Sequence, residues 1–240
     1  MSQQRCILMT GASSGIGKSI CDQLLQGGHQ VIGLSRHPVR QEPHENHTPV
    51  SFDLRNLAEL PATLKTILEQ HPQVDGVISN AGTPAMGGLE QWSATALNDA
   101  IQMNLTSHMA LARYVMPHLR QKNTSDLIFM ASEASHATSK NGAVYCAAKF
   151  GLRGFAQVLR QEGASSGVRV STVMPGFVRT PFFDELNFEP GEERDNAITP
   201  ESIAETVCHI LSAPANVVFD EVRVSPLKKV LVRKKPSGDA

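Results

Sequence analysis

Tyr145 and Lys149 stand four residues apart in Tyr145-Cys146-Ala147-Ala148-Lys149, within a stretch whose apolar residues recur at helical spacing. On a helix that separation puts both side chains on one face. A phenol titrates near pH ~10, and a unit charge about 4 Å away at an effective dielectric of about 20 is worth roughly 4 kcal/mol, or about three pH units. The lysine is therefore expected to bring Tyr145 toward neutrality as a proton donor and acceptor. Burial acts in the opposite sense on a phenol. Spacing alone also describes an ordinary surface pair. Ser132 gives it more weight, because it lies thirteen residues earlier at the carboxyl end of the apolar run Leu127-Ile128-Phe129-Met130-Ala131. From there its hydroxyl can hold a substrate oxygen.

A second group of residues could hold phosphate. Thr10-Gly11-Ala12-Ser13-Ser14-Gly15-Ile16-Gly17 separates a short apolar run from a stretch of helical periodicity. Glycines in such a turn let the main chain approach a pyrophosphate, and the helix that follows offers free N–H groups and the positive end of its dipole. Ser13 and Ser14 add hydroxyl donors. The spacing Gly-x-x-x-Gly-x-Gly differs both from the Gly-x-Gly-x-x-Gly dinucleotide fingerprint and from the Gly-Lys-Ser/Thr loop of nucleotide triphosphatases. Ser35 and Arg36 close the next apolar run, where an NAD-specific chain carries a carboxylate for the ribose hydroxyls. Arg36 can bind a 2′-phosphate through a forked, charge-assisted pair, and Ser35 can donate one more bond. NADP(H) is thus expected in preference to NAD(H).

The elements that must bring these residues together alternate in type. Short apolar runs at 6–9, 31–34, 50–52, 74–79, 127–130, 168–173 and 217–224 read as strands. Between them, helical periodicity begins at Ile16 and returns near 57–68, 95–119, 143–162 and 201–211, with a break expected inside 95–119. Strand-helix alternation implies an α/β fold: a doubly wound parallel sheet of about seven strands, Rossmann-type, in a single domain over 1–225. In such a sheet ligands bind beyond the carboxyl ends of the strands, which is where the glycine turn, Arg36 and Ser132 all fall.

Four features taken together resemble the short-chain dehydrogenase/reductase family in its single-domain form: the glycine turn, Ser79-Asn80-Ala81-Gly82, Ser132 with Tyr145 and Lys149, and Pro175-Gly176. The match runs from about Arg5 to Val224. The resemblance implies that Tyr145 exchanges a proton with a substrate hydroxyl or carbonyl oxygen, that Ser132 positions and polarises that oxygen, and that Lys149 lowers the tyrosine pKa and holds the nicotinamide ribose. Asn104, in Met103-Asn104-Leu105, is similar to the family asparagine that supports the lysine through a water. Implied cofactor contacts are Gly11, Ser13, Ser14, Gly15, Ile16 and Gly17 at the pyrophosphate, Ser35 and Arg36 at the 2′-phosphate, and Asp53 and Leu54 near adenine. Asn80, Ala81 and Gly82 then lie beside the adenosine ribose. Pro175, Gly176, Val178 and Thr180 surround the nicotinamide together with Tyr145 and Lys149, with Thr180 on the carboxamide. The activity implied is hydride transfer between NADP(H) and a carbonyl or secondary alcohol. A weakly catalytic NADP(H)-binding sensor on the same fold is the alternative, since a fold alone does not set function.

The chain departs from the family pattern in three places. Ala131 stands where a second serine is frequent, and Ser79 replaces a common asparagine. Ser225-Pro226 and a basic tail follow the last strand where many members carry a glycine-rich stretch and build tetramer contacts. The family commonly pairs through its two long helices, which implies a homodimer or homotetramer.

With a net charge of -1, the chain presents no field for nucleic acid or an anionic membrane, and no run of about 18 apolar residues suits a membrane span. A start without a signal-like apolar stretch, and four separated cysteines, Cys6, Cys21, Cys146 and Cys208, lead us to expect reduced thiols and a cytoplasmic location. His37, His44 and His47 sit in a polar loop without ligand spacing, so no metal is expected. Residues 177–198 are expected to form a lid, with Phe182, Phe183, Leu186 and Phe188 among the acids Asp184, Glu185 and Glu189. These aromatics can face a substrate or pack against the domain. Met86, Gly87 and Gly88 are further candidates for the pocket wall. Lys228, Lys229, Arg233, Lys234 and Lys235 make 226–240 a basic tail, expected to be solvated.

Overall fold

A computed structural model of the chain describes residues 4–38 and 44–234. In chain order the elements are β1 (Cys6–Thr10), α1 (Gly15–Gln26), β2 (Gln30–Ser35), β3 (His47–Ser51), α2 (Leu60–Gln70), β4 (Gly76–Ser79), α3 (Ala94–Ile101), α4 (Ser107–Leu119), β5 (Ser125–Met130), α5 (Ala143–Ala164), β6 (Val168–Pro175), β7 (Phe188–Pro190), α6 (Pro200–Leu211), β8 (Glu221–Val224) and β9 (Leu231–Arg233). Seven strands form one sheet in the order β3-β2-β1-β4-β5-β6-β8, and every pairing is parallel. This is the expected doubly wound, Rossmann-like single domain.

The continuous apolar runs follow from cover on both faces. Every residue of β1, β4, β5 and β6 is buried, as in parallel sheets sandwiched by helices. Successive side chains point to opposite faces. Leu8, Leu127 and Phe129 meet Leu64 of α2, Val115 of α4 and Leu152 of α5 on one side. Ile7, Met9 and Ile128 meet Ile20 of α1 and Val207 of α6 on the other. Strand order reverses between β1 and β4, opening a crevice at their carboxyl ends.

At the opposite ends of the strands, Asp126 of β5 accepts from both Arg5 and Arg169 at 2.8–2.9 Å, and Arg5 also pairs with Asp75 at 2.6 Å. The two guanidinium groups reach on to the last carbonyl of α6, Leu211 O, at 3.2 and 3.5 Å. They satisfy a helix end where cations are favoured.

Several bounds differ from expectation, each for a local reason. β3 starts at His47 rather than residue 50. It is a partly exposed edge strand containing Pro49, so no continuous apolar run marks it. The last parallel strand covers only Glu221–Val224, and the Val217 carbonyl is taken by Arg169 instead of a ladder. The stretch 95–119 divides at a π-helical turn, Gln102–Thr106. Asn104 Nδ2 donates to Ala100 O at 3.0 Å, the carbonyl that an α-helix would pair with the main-chain N–H of Asn104.

The largest difference lies in the basic tail, whose described residues, as far as Lys234, run back along the lid. β9 pairs antiparallel with β7 in the lid, with Glu189 opposite Val232. Lys228 pairs with Glu193 and Asp195, each at 3.4 Å, Lys229 pairs with Glu133, and Lys234 Nζ donates to the carbonyls of Phe183 and Asp184 at 2.5 and 3.0 Å. A three-residue strand with all residues exposed gives no periodic signal, and the sequence distance hides the match between these cations and the lid acids. Lys235 lies outside the described residues.

Candidate active site

At the carboxyl edge of the sheet a cleft of about 690 Å³ runs from the glycine turn to the lid, a size suited to a cofactor with a small substrate. The turn needs its glycines. Gly11 and Gly15 have φ of +71° and +52°, a region that L side chains avoid. A Cβ on Gly17 would lie 2.0 Å from Gly11 O. Ser14 caps α1 without spending its side chain on the helix. The first N–H groups of α1, together with Ser13 and Ser14, can therefore hold phosphate oxygens. Asn80 ties the end of β4 to this turn, donating through Nδ2 to Thr10 O at 3.1 Å and Gly11 O at 3.3 Å, while Thr10 Oγ1 accepts from the N–H groups of Asn80 and Ala81.

Beside the turn, β2 ends on buried Ser35, and exposed Arg36 follows it. Asp53 lines the same end of the cleft but is engaged by Arg55, whose side chain donates to it at 2.5–3.1 Å. Those bonds hold its carboxyl below the usual range, with Arg36 adding a smaller pull. The acid at this end is thus already engaged by Arg55.

At the other end β5 runs out through Ala131 to Ser132, whose Oγ accepts from Ala134 N at 3.2 Å. The first two turns of α5 carry Tyr145 and Lys149 into the cleft, both buried. Lys149 Nζ lies 5.7 Å from the centre of the Tyr145 ring and donates to Met130 O at 3.1 Å. Burial lowers the Lys149 pKa to about 8. Burial also pushes Tyr145 up to about 12, with the Ser132 hydroxyl pulling the other way. In the fold the phenol therefore stands above its ordinary value rather than below it, with burial the largest cause. Tyr145 is held protonated at neutral pH.

Every catalytic and cofactor residue expected from the sequence lines this cleft except Asn104. Asn104 is fully buried behind it, accepting from Thr83 N at 3.2 Å. A Cβ on Gly82 would stand 3.0 Å from Asn104 Oδ1 and 3.7 Å from Lys149 Nζ, so the bare glycine leaves room between them. Met86 lines the cleft; Gly87 and Gly88 do not, since Gly87 is turned against Trp92 and bonded to Asn141 O. Phe182, Phe183 and Phe188 do both things open to them, packing together and facing the cleft, which Leu186 also lines. Glu133, Thr138 and Ser139 also line it, and nothing but nearness to Ser132 marks them in the sequence. Behind the site, His108 Nδ1 lies 2.6 Å from Ser79 Oγ, and burial followed by the charge of Lys149 keeps that imidazole neutral. Among the described residues no group of three or more His, Cys, Asp or Glu is placed to hold a metal ion, and no helix is long and apolar enough to cross a membrane.

Two outcomes follow from this geometry. Lys149 titrates near 8 in the fold against an ordinary 10.5. Between those values the unfolded chain binds the extra proton, so stability rises with pH across that window and the buried charge is a burden below it. Lys149→Met is therefore expected to melt a few degrees higher than the parent at neutral pH without nucleotide, an advantage that shrinks as pH rises. Thermal melts across pH check this, and a variant melting lower at every pH contradicts it. Deleting the chain from Leu227 onward removes β9 and its lysines. Hydrogen exchange at lid amides such as Gly191, now bonded to Val230 O at 3.0 Å, is expected to accelerate, with KM raised several-fold. Unchanged exchange across the lid would show that the arm does not hold it.

A family profile described as short chain dehydrogenase matches residues 5–190. Among curated proteins, the NADP-dependent 3-hydroxy acid dehydrogenase of Schizosaccharomyces pombe is 29% identical over 241 residues, covering 92% of each chain. A protein of Haemophilus influenzae named a probable NADP-dependent dehydrogenase is 30% identical over 234 residues, covering 91% of this chain and 92% of its own. Among solved structures, an alcohol dehydrogenase from the archaeon Thermococcus sibiricus, complexed with 5-hydroxy-NADP, superposes with a TM-score of 0.84 at 24% identity, covering 98% of this chain and 100% of that one.

Proposed function

The chain belongs to the short-chain dehydrogenase family, and from that premise we propose that it is an NADP(H)-dependent oxidoreductase acting on a carbonyl or secondary alcohol, with Tyr145 as its acid and base. The observation that carries this reading is the burial of Tyr145 and Lys149 beside Ser132 at one end of a cleft whose other end is the glycine turn. When bound, the nicotinamide supplies or accepts the hydride. The chain's own residues do the rest. Ser132 holds the substrate oxygen, and Tyr145 donates its phenolic proton to that oxygen as the carbonyl is reduced. A phenol kept protonated by burial suits this donor role. Lys149 stabilises the phenolate left behind and can bond a ribose hydroxyl. Asn104 acts as a positioning residue that sets the π-turn beneath Gly82 and Lys149.

Ser35 and Arg36, with Asp53 neutralised by Arg55, favour NADP(H) over NAD(H). Ser35→Asp combined with Arg36→Ala is expected to raise the Kd for NADPH by about 10- to 100-fold, because it removes a charge-assisted fork and adds a like charge. Titration with NADPH and NADH measures the ratio, and an unchanged preference contradicts the assignment. Turnover is tested by following nicotinamide absorbance with NADPH against ketones and aldehydes. Binding without turnover across the whole panel would contradict the oxidoreductase reading. Hydroxy acids, for which the fission yeast relative is named, form one class of secondary alcohol within this reading.

A further inference from the structure

The glycine turn and Arg36 claim one end of the cleft for a nucleotide, so the body of a substrate must extend beyond Tyr145 toward the lid. That wall is apolar. The Phe182 ring stands 5.8 Å, centre to centre, from the Tyr145 ring, and Phe183 packs edge-on against Phe177, Phe182 and Phe188 at 5.7–6.4 Å. The charged side chains on the same wall are Glu133, Asp184 and Glu185, all carboxylates.

Among the described lining residues the cations are Arg36, at the far end, and Lys149, whose ammonium is bonded to Met130 O. Two lysines of the C-terminal arm approach from outside, and both are engaged: Lys229 by Glu133, Lys234 by the carbonyls of Phe183 and Asp184. Neither lines the cleft. A substrate carboxylate entering here would lose water against phenyl rings, find no cation among the described residues of this wall and meet the like charges of Asp184 and Glu185. An uncharged apolar molecule gains the ring contacts and suffers none of these penalties.

On the reading of the site as an NADP(H)-dependent oxidoreductase, we propose that the substrate is an uncharged, apolar ketone or aldehyde, or the matching alcohol, and that the lid acids reject carboxylates, hydroxy acids and keto acids included. The selection comes from Asp184 and Glu185 acting on whatever passes the mouth of the cleft, while the rings bind the apolar body.

Matched pairs of an aryl or alkyl keto acid and its methyl ester test this with the full chain and NADPH, para-acetylbenzoate and its ester being one such pair. The ester is expected to have a kcat/KM at least about tenfold above that of the acid, since each lid charge disfavours an anion several Å away by a factor of a few. Asp184→Asn with Glu185→Gln is expected to narrow that gap at least about threefold; both side chains are exposed, so the fold should tolerate them. Acids reduced as well as their esters would overturn the proposal, and a gap unmoved by the double variant would remove the lid acids as its cause. No turnover of any pair by a chain that binds NADPH would instead overturn the underlying oxidoreductase reading.

Discussion

Tyr145→Phe is expected to lower kcat by about a thousandfold, or about 4 kcal/mol of transition-state stabilisation, while leaving NADPH affinity within a factor of about three. The substitution removes one hydroxyl and nothing else. The ring keeps its place against Ala85 and Val144, with Phe182 packed beside it, so melting should shift little. What is lost is the proton donor beside Ser132, and the two nearest titratable side chains are engaged elsewhere: Lys149 is bonded to Met130 O, and Glu133 is paired with Lys229. Steady-state rates at saturating NADPH, with a separate fluorescence titration of NADPH, check both halves. Retention of more than about a tenth of the parent kcat would contradict the role given to Tyr145.

Asp126→Ala should have the largest effect on stability, a loss of about 3–5 kcal/mol. Asp126 is 1% exposed and lies between two guanidinium groups, at 2.9 Å from Arg5 and 2.8 Å from Arg169. Removing it leaves two cations partly buried at the floor of the sheet without their shared counter-charge, and loosens the grip of both on the end of α6. Asp220→Ala makes the control. Its pair with Arg160 is similarly short, 2.7 Å, but Asp220 is 66% exposed, so water screens the interaction and a loss below about 1 kcal/mol is expected. Urea unfolding of the two variants beside the parent separates the effects, and equal losses would mean that the network adds nothing beyond a surface pair.

The parts of this molecule legible in the sequence are those whose signal is local. Strands buried on both faces read as apolar runs, and the glycine turn, Ser132, Tyr145 and Lys149 each carry short-range chemistry that fold order then brings to one edge. Edge strand β3 was visible only in part, because half-exposed residues around Pro49 break the pattern. Nothing local announces β9, which exists because a lid more than forty residues away offers it a partner. The partner of Glu133 belongs to the same class, since Lys229 arrives from the far end of the chain. The protonation of Tyr145 shows a different limit. Four-residue spacing indicates that Lys149 is near, but the degree of burial that pushes the phenol up to about 12 emerges only when the helix, the lid and the sheet close around it.

Hydride transfer is the central claim, and isotope transfer tests it most directly. NADPH carrying deuterium at the transferable position of the nicotinamide ring would be incubated with an uncharged aryl ketone and the purified chain, and the alcohol product examined by mass spectrometry. The expected result is one deuterium on the carbinol carbon from the parent chain and no product above background from Tyr145→Phe. Alcohol formed without deuterium, or labelled alcohol formed equally well by Tyr145→Phe, would contradict it.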